Sequence, residues 1–115
     1  MFDDVATSSL HVALSGLAER QRVIANNISN IDTPGFHAGL VRFEDTLRQA
    51  VVDHDDPADT RLSPELSLEP TRVDGNNVNL DHETLENVDT GLRYQLALRG
   101  MDAKLGLLRT AIGSS

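Results

Sequence analysis

The residues that could do chemistry are few and poorly grouped. His54 lies between Asp53 and the pair Asp55-Asp56, so an imidazole and hard carboxylate ligands are close together in sequence. Ligands this tightly adjacent on a loop seldom close a metal site unaided, so the favoured interpretation is a solvent-facing acidic loop, with a metal site as the alternative. The other three histidines have no spacing typical of a metal site or a catalytic triad. They are His11, His37 and His82.

Other chemistry-bearing motifs are also missing from the sequence. The chain has no Cys, which excludes thiol nucleophiles, disulfides and Cys-based zinc sites. Its glycines do not form a phosphate-binding loop, because no Gly-rich turn ends in Lys-Ser or Lys-Thr. We therefore predict no catalytic residue, no cofactor and no metal, and a small hydrolase or metal-dependent enzyme is the least supported hypothesis.

The charge of the chain also excludes classes of partner. The formal net charge is −8, and the segment from Glu44 to Asp89 is strongly acidic, whereas the segment after Thr90 is mildly basic. An acidic chain without clustered Lys or Arg is a poor nucleic-acid binder. Acids in the first residues, and the absence of an apolar run near the roughly 18 residues of a membrane span, argue against a cleaved signal and a membrane-spanning segment.

The N-terminal segment predicts a long amphipathic helix from about Asp4 to Asn30. Its apolar positions recur at steps of four and three, with one polar exception, which is the heptad pattern of a helix that packs along a partner. Gln21 is that exception; it either fixes the register of the packing or extends along the edge of the seam. The positions of this row are Leu10, Leu14, Leu17, Gln21, Ile24, Ile28 and Ile31.

The sequence Asp32-Thr33-Pro34-Gly35 predicts the end of this helix and a tight turn. Pro34 disfavours a helical residue before it, and Gly35 is free to adopt a positive φ. Residues 36–52 then favour an extended entry followed by a short helix. Residues 53–77 contain three prolines and little periodicity, so we expect an irregular loop, partly mobile, with room for one hairpin.

The C-terminal segment predicts a second long helix, from about Thr84 to Ile112. One apolar row contains Tyr94, Leu98, Met101, Leu105, Leu108 and Ile112, and a second row beside it contains Leu85, Val88, Leu92, Leu96, Ala103 and Leu107. A hairpin of the two long helices would cover only one row, so the second row predicts further partners. The predicted fold is mainly α, with long N- and C-terminal amphipathic helices that form a coiled-coil-like bundle with neighbouring subunits, joined by an irregular acidic middle segment.

A specific run of residues resembles a known family. The sequence from Ala18 to Phe36, with Ala25-Asn26-Asn27-Ile28-Ser29-Asn30 closing the helix and Asp32-Thr33-Pro34-Gly35 forming the turn, is similar to the N-terminal signature of the flagellar rod, hook and hook-associated proteins. The run from Asp74 to Asp81, followed by Leu92-Arg93-Tyr94-Gln95, resembles the C-terminal part of a proximal rod protein of that family. The resemblance covers roughly residues 5–44 and 73–112.

The resemblance implies a structural subunit of the proximal rod, which polymerises through its terminal helices. On this basis residues 1–35 and 78–115 form one assembly domain, and residues 36–77 form the middle segment. Implied partners are other rod proteins, the ring-to-rod adaptor, the basal ring and the flagellar export apparatus, with export that needs no cleaved signal and ordering of the chain on assembly. The asparagines Asn26, Asn27 and Asn30 either cap the helix locally or contact a neighbouring chain. The alternative function is a coiled-coil adaptor of another secretion or motility assembly.

Overall fold

The chain folds into two long helices joined by a short helix and a two-stranded sheet. The computed structural model describes residues 5–53, 57 and 64–113. The elements in chain order are α1 (Val5–Ser29), β1 (Gly39–Leu40), α2 (Phe43–Val52), β2 (Glu65–Leu66) and α3 (Leu80–Gly113). The prediction of a mainly helical fold with long terminal helices is confirmed, since α1 and α3 pack against each other.

The two long helices run antiparallel and give the molecule an elongated shape. Near one end, a Cβ built at Gly100 would lie 3.3 Å from Leu10 Cδ2. Near the other end, the side chains of Asn27 and Glu83 interact. The molecule measures 66 × 28 × 14 Å, so it is only about one helix diameter thick. A body this thin leaves most of α3 covered on one side only.

The helix ends agree with the sequence signals, with one difference. Helix α1 ends at Ser29, just before the predicted stop. Helix α3 begins at Leu80, one turn before the predicted Thr84, because Asn79 caps it: its Oδ1 accepts the His82 N–H at 3.2 Å. Asparagine is among the best N-cap residues because its side-chain oxygen satisfies an N–H that has no partner within the helix. The acids Asp81 and Glu83 lie in the first turn of the helix.

The small apolar core is centred on Phe43, the first residue of α2. Phe43, Leu17 and Val41 are buried together, and Ala13, Val23, Tyr94 and Ala97 pack against them. The ring of Phe43 lies directly over Gly16, where an added Cβ would be 2.5 Å from Phe43 Cγ. Only a glycine in α1 lets the ring approach this closely, so Phe43 packs on Gly16 and attaches α2 to α1.

A charged group reinforces the attachment of α2. The Arg20 guanidinium lies 4.9 Å from the centre of the Phe43 ring and forms an ion pair with Glu44, with 2.5 Å between Nη2 and Oε1. Arg20 Nη2 also donates to the Val41 carbonyl at 2.6 Å. Burial alone would raise the pKa of Glu44, but the hydrogen bonds and positive charge of Arg20 outweigh this and lower it. Arg93 of α3 adds a longer contact of 3.5 Å to the same carboxylate.

The middle segment contributes one strand pair and a tight turn. Strand β2 pairs antiparallel with β1, which precedes α2, with Gly39 opposite Leu66 and Leu40 opposite Glu65. The turn at Asp74-Gly75 is closed by the Gly75 N–H, which donates to the Arg72 carbonyl at 2.9 Å. The expected hairpin is therefore limited to this turn, while the strand of the segment pairs at long range. His54, Asp55 and Asp56 lie outside the described residues.

Candidate assembly site

The turn after α1 has the conformation that its residues favour. The Phe36 N–H donates to the Thr33 carbonyl at 3.2 Å, and Gly35 has a φ of +74°. With Pro34 in the second position and a left-handed residue in the third, this is the geometry of a type II turn. The side chains of Asp32, Thr33 and Pro34 are exposed. The side chains of the turn therefore face solvent, while its backbone is hydrogen-bonded to the rest of the subunit.

The residue that holds this turn is Asn76, which has no exposed surface. Its Nδ2 donates to the carbonyls of Asn30 at 2.8 Å and Thr33 at 2.9 Å. The Gly35 N–H donates to the Asp74 carbonyl at 2.8 Å. The N-terminal and C-terminal signatures, which are separated by some forty residues in sequence, thus bind each other. We call residues 26–39 together with residues 72–78 the signature joint.

Arg72 adds a second clamp to the signature joint. Its Nη1 donates to the Val78 carbonyl at 2.6 Å, and its Nη2 donates to the Ile31 carbonyl. The same residue closes the turn through its own backbone, since its N–H donates to the Asn76 carbonyl at 2.8 Å. Sequence reasoning missed this role, because a lone arginine in an acidic loop gives no periodic signal.

Asn27 links α1 to strand β1. Its side-chain Oδ1 accepts the Gly39 N–H at 2.8 Å, and its Nδ2 donates to the Gly39 carbonyl at 3.0 Å. The amide therefore replaces a neighbouring strand on the free edge of β1. A Cβ at Gly39 would lie 2.9 Å from Val23 Cγ1, so the close approach of this strand to α1 requires glycine.

Asn77 performs the same task from the other side of β1. Its Oδ1 accepts the Ala38 N–H at 2.6 Å, and its Nδ2 donates to the carbonyls of Ser67 and Glu69 at 3.1 Å each. Buried amides with every polar atom bonded fix a unique arrangement of the backbone, because any displacement leaves a buried group without a partner. The signature joint is held chiefly by such amides bound to backbone.

The three asparagines predicted for subunit interaction occupy different environments. Asn27 is buried and bonded as described, and Asn30 caps α1, with its Nδ2 donating to the Asn26 carbonyl at 2.8 Å. Asn26 is exposed, and its Oδ1 accepts only a weaker contact of 3.2 Å from Asn30. Within the subunit, Asn26 is therefore the asparagine whose amide is best placed to meet a neighbour.

The predicted apolar row of α1 lies partly in the seam with α3. Leu17 and Ile24 are buried, and Leu10, Leu14 and Ile28 are half-buried. Gln21 is exposed, so its amide does not fix the register of the α1–α3 packing. It is available for the edge of a seam with another chain.

The two apolar rows of α3 differ in exposure. In the first row, Tyr94, Met101 and Leu108 are half-buried, whereas Leu98 and Leu105 are about 40% exposed and Ile112 is 67% exposed. In the second row every large side chain is between 58% and 71% exposed; these are Leu85, Val88, Leu92, Leu96 and Leu107. A continuous exposed apolar row of this length marks an interaction surface. We call these five residues the exposed row.

The described part of the chain offers no metal or membrane site. Among residues 5–53, 57 and 64–113 there is no group of three His, Asp or Glu side chains that could hold a metal ion. No helix in the same ranges is long and apolar enough to cross a membrane.

Comparison with known proteins identifies similar sequences. Residues 10–37 match the family model described as flagella basal body rod protein, so the match covers most of α1 and the turn that follows it. The flagellar basal body rod protein FlgB of Bacillus subtilis is 33% identical, over 90% of this chain and 90% of its own length. FlgB of Borreliella burgdorferi is 34% identical over 75% and 79%, and FlgB of Salmonella typhimurium is 29% identical over 97% and 96%.

Proposed function

The chain belongs to the FlgB family of flagellar basal body rod proteins, and on that premise we propose how it acts there. It is a structural subunit of the flagellar rod, not an enzyme, and it associates with other flagellar proteins. We propose that it occupies the proximal rod and helps to form the drive shaft between the membrane ring and the distal rod. In this proposal residues 1–35 and 78–115 act as one assembly domain, with residues 36–77 between them.

The observation that supports polymerisation through the terminal helices is the exposed row of α3. Burying apolar surface stabilises by roughly 25 cal/mol per Å², so five large aliphatic side chains in water favour association strongly. These side chains lie on the side of α3 that faces away from α1. A subunit inside a tube of parallel helices needs a second apolar face of this kind, because it has neighbours on more than one side.

The signature joint supplies the second requirement of a rod subunit, a fixed relation between its two helices. We propose that the exposed Asn26, Gln21 and the turn residues Asp32 to Pro34 form the edge of the contact with neighbouring rod proteins. The ring-to-rod adaptor and the basal ring are the proposed partners at the base of the rod. The export apparatus is the proposed route to the rod, and part of the chain orders only on assembly.

Replacing Leu92 with Asp tests the role of the exposed row. The matched control is Asn87→Asp, which places the same charge at an exposed position of α3 about 140° round the helix from Leu92, at about 100° per residue. In cells that lack the native gene, we expect Leu92→Asp to abolish motility and rod assembly, and the control to restore both. Isolated basal bodies probed with an antibody against the chain give the direct measurement. Normal motility of Leu92→Asp would contradict assembly through this row.

Deleting Asp32 to Gly35 tests the turn. Without these residues Asn76 loses its bond to the Thr33 carbonyl and Asp74 loses its bond to the Gly35 N–H, so the start of α3 is tied less firmly to the end of α1. We expect loss of motility with the chain still produced. If motility persists, the turn has no part in the assembly.

A further inference from the structure

A cleft of about 780 Å³ lies beside the first half of α3. Its apolar walls come from α1, through Val23 and Ile24, and from residues 38–42 and 67–70. Helix α3 contributes Glu83 and Glu86, which are one turn apart on the same side. The cleft is therefore lined by both aliphatic and polar side chains, with Glu83 and Glu86 along one wall and the carboxylate of Glu69 at the rim.

Glu83 is only 4% exposed, yet it forms no ion pair. Within the described ranges, no Lys, Arg or His nitrogen lies within 4.0 Å of the carboxylates of Glu83 or Glu86. Arg20 lines the same cleft, but Glu44 and the Val41 carbonyl occupy its guanidinium. Burial raises the pKa of Glu83, and the neighbouring Asn27 amide offsets this only in part.

Two further basic side chains line the cleft without changing this result. Arg42 and His82 are exposed, and within the described ranges neither forms an ion pair with the two carboxylates. The charge of His82 acts to lower the pKa of Glu83, but burial outweighs it. A buried carboxylate without a cation is unfavourable, since desolvation is not offset by attraction to an opposite charge. A cation that enters from outside the subunit would remove this penalty.

The opposite end of α3 carries a matching surface. The side chain of Arg109 is exposed, and no ion pair or side-chain hydrogen bond joins it to another described residue. Leu105 and Ile112 lie one turn before and one turn after it on the same face and are 40% and 67% exposed. This tip presents an arginine between aliphatic side chains, which complements a cleft with carboxylates between aliphatic walls. The tip lies about 39 Å from Glu83 along α3, at about 1.5 Å per residue, so one subunit cannot fill its own cleft.

We propose that the cleft of one subunit receives the Arg109 tip of α3 from a second copy of this chain, so that the Arg109 guanidinium pairs with the carboxylates of Glu83 and Glu86 across the contact. The proposal rests on the proposed function, since it assumes that copies of the chain lie next to each other in the rod. The contact joins two different surfaces of the same chain and is therefore heterologous. It leaves one cleft and one tip unfilled at the ends, so it propagates into a ring or helix and does not stop at a closed dimer.

Charge reversal tests the contact in cells that lack the native gene. We expect Arg109→Glu and Glu86→Arg each to reduce swimming at least tenfold, and the double variant to restore at least half of it. The control is Arg48→Glu, which reverses an exposed arginine of α2 away from the cleft and the tip, and should swim normally. Immunoblots confirm that each chain is produced at the native level. Normal swimming of either single variant, or a double variant no better than both singles, would overturn the proposal.

Disulfide cross-linking gives a second measurement that does not depend on tolerance of a reversed charge. The chain has no Cys, so Glu69→Cys at the cleft rim and Ile112→Cys at the tip form a clean pair. The two positions lie at opposite ends of the molecule, so any disulfide must join two copies. We expect a ladder of cross-linked chains in oxidised basal bodies from cells with the double Cys variant, and none with either single. Absence of the ladder refutes the contact alone, whereas absence of the chain from basal bodies refutes the rod function itself.

Discussion

The buried amide of Asn27 offers the sharpest test of the signature joint. Replacing it with Ala removes the acceptor for the Gly39 N–H and the donor to the Gly39 carbonyl. A backbone group left without its partner costs about 1–3 kcal/mol. Gly39 is half-buried, so water reaches it in part, and we take the lower half of that range for each group. The expected loss is about 2–4 kcal/mol in the free energy of unfolding.

The preceding residue provides a matched control. Asn26→Ala makes the same change of helix propensity in the same turn of α1, but its amide is exposed and holds no backbone group of another element. A surface change of this kind is usually within about 0.5 kcal/mol. The difference between the two variants therefore measures the buried contacts of the Asn27 amide, which are the two bonds to Gly39 and the hydrogen bond to Glu83.

Urea unfolding of the purified full chain, followed by far-UV circular dichroism, measures this difference. With a slope of about 2 kcal/mol per M of urea, a loss of 2–4 kcal/mol lowers the unfolding midpoint by roughly 1–2 M. If Asn27→Ala and Asn26→Ala unfold at the same urea concentration, the amide does not hold β1 to α1, and our account of the joint is wrong. Asn27→Asp extends the test: it keeps the acceptor, loses the donor and adds a second carboxylate beside Glu83, so at pH 7 it should be no more stable than Asn27→Ala.

Three further predictions concern single positions. Gly16→Ala should destabilise the chain by about 1–2 kcal/mol, because overpacking against Phe43 exceeds the gain in helix propensity. Gly106→Ala should stabilise the chain by up to about 1 kcal/mol, because the added methyl group meets open space. Thermal unfolding of the two variants measures both effects. Glu83→Gln should raise stability at neutral pH. Burial raises the pKa of Glu83, so its contribution to stability is present below its unfolded pKa and is lost as pH rises through its folded pKa. The free energy of unfolding measured from pH 4 to 7 should therefore fall less with rising pH in the variant than in the native chain. Parallel curves of unfolding free energy against pH for the two chains would contradict this. Gly35→Ala should cost about 1–2 kcal/mol in unfolding free energy from its positive φ alone, and Gly35→Asn should cost less.

The sequence predicted the parts of the fold that depend on local preference and periodicity. Pro34 and Gly35 indicated the end of α1. The spacing of apolar residues indicated two long helices, and a second apolar row on the C-terminal helix that a hairpin of the two would leave uncovered. These signals are readable because a helix repeats its pattern every few residues, and because proline and glycine restrict or free one backbone position regardless of context.

The signature joint could not be predicted in the same way. Asn76 and Arg72 act on backbone carbonyls more than forty residues away, and such bonds require no particular residue type in their partner. The strand pair β1–β2 has two residues per strand, which is too short for an alternating pattern. The early start of α3 depended on Asn79, one of three asparagines within four residues, any of which could have been the cap.

The position of the joint at one end of the molecule explains how it can govern a surface along the whole of α3. Successive residues of a helix are about 100° apart, so a slip of α3 by one residue against α1 would rotate the exposed row toward the seam and the half-buried row into water. The apolar seam resists such a slip weakly, because both rows are apolar and either could pack on α1. Asn76, Asn77 and the Asn79 cap allow only one start for the helix, since each binds a specific backbone group. Variants of the joint should therefore impair rod assembly even where the helix content of the chain is unchanged, because they alter which face of α3 the next subunit meets.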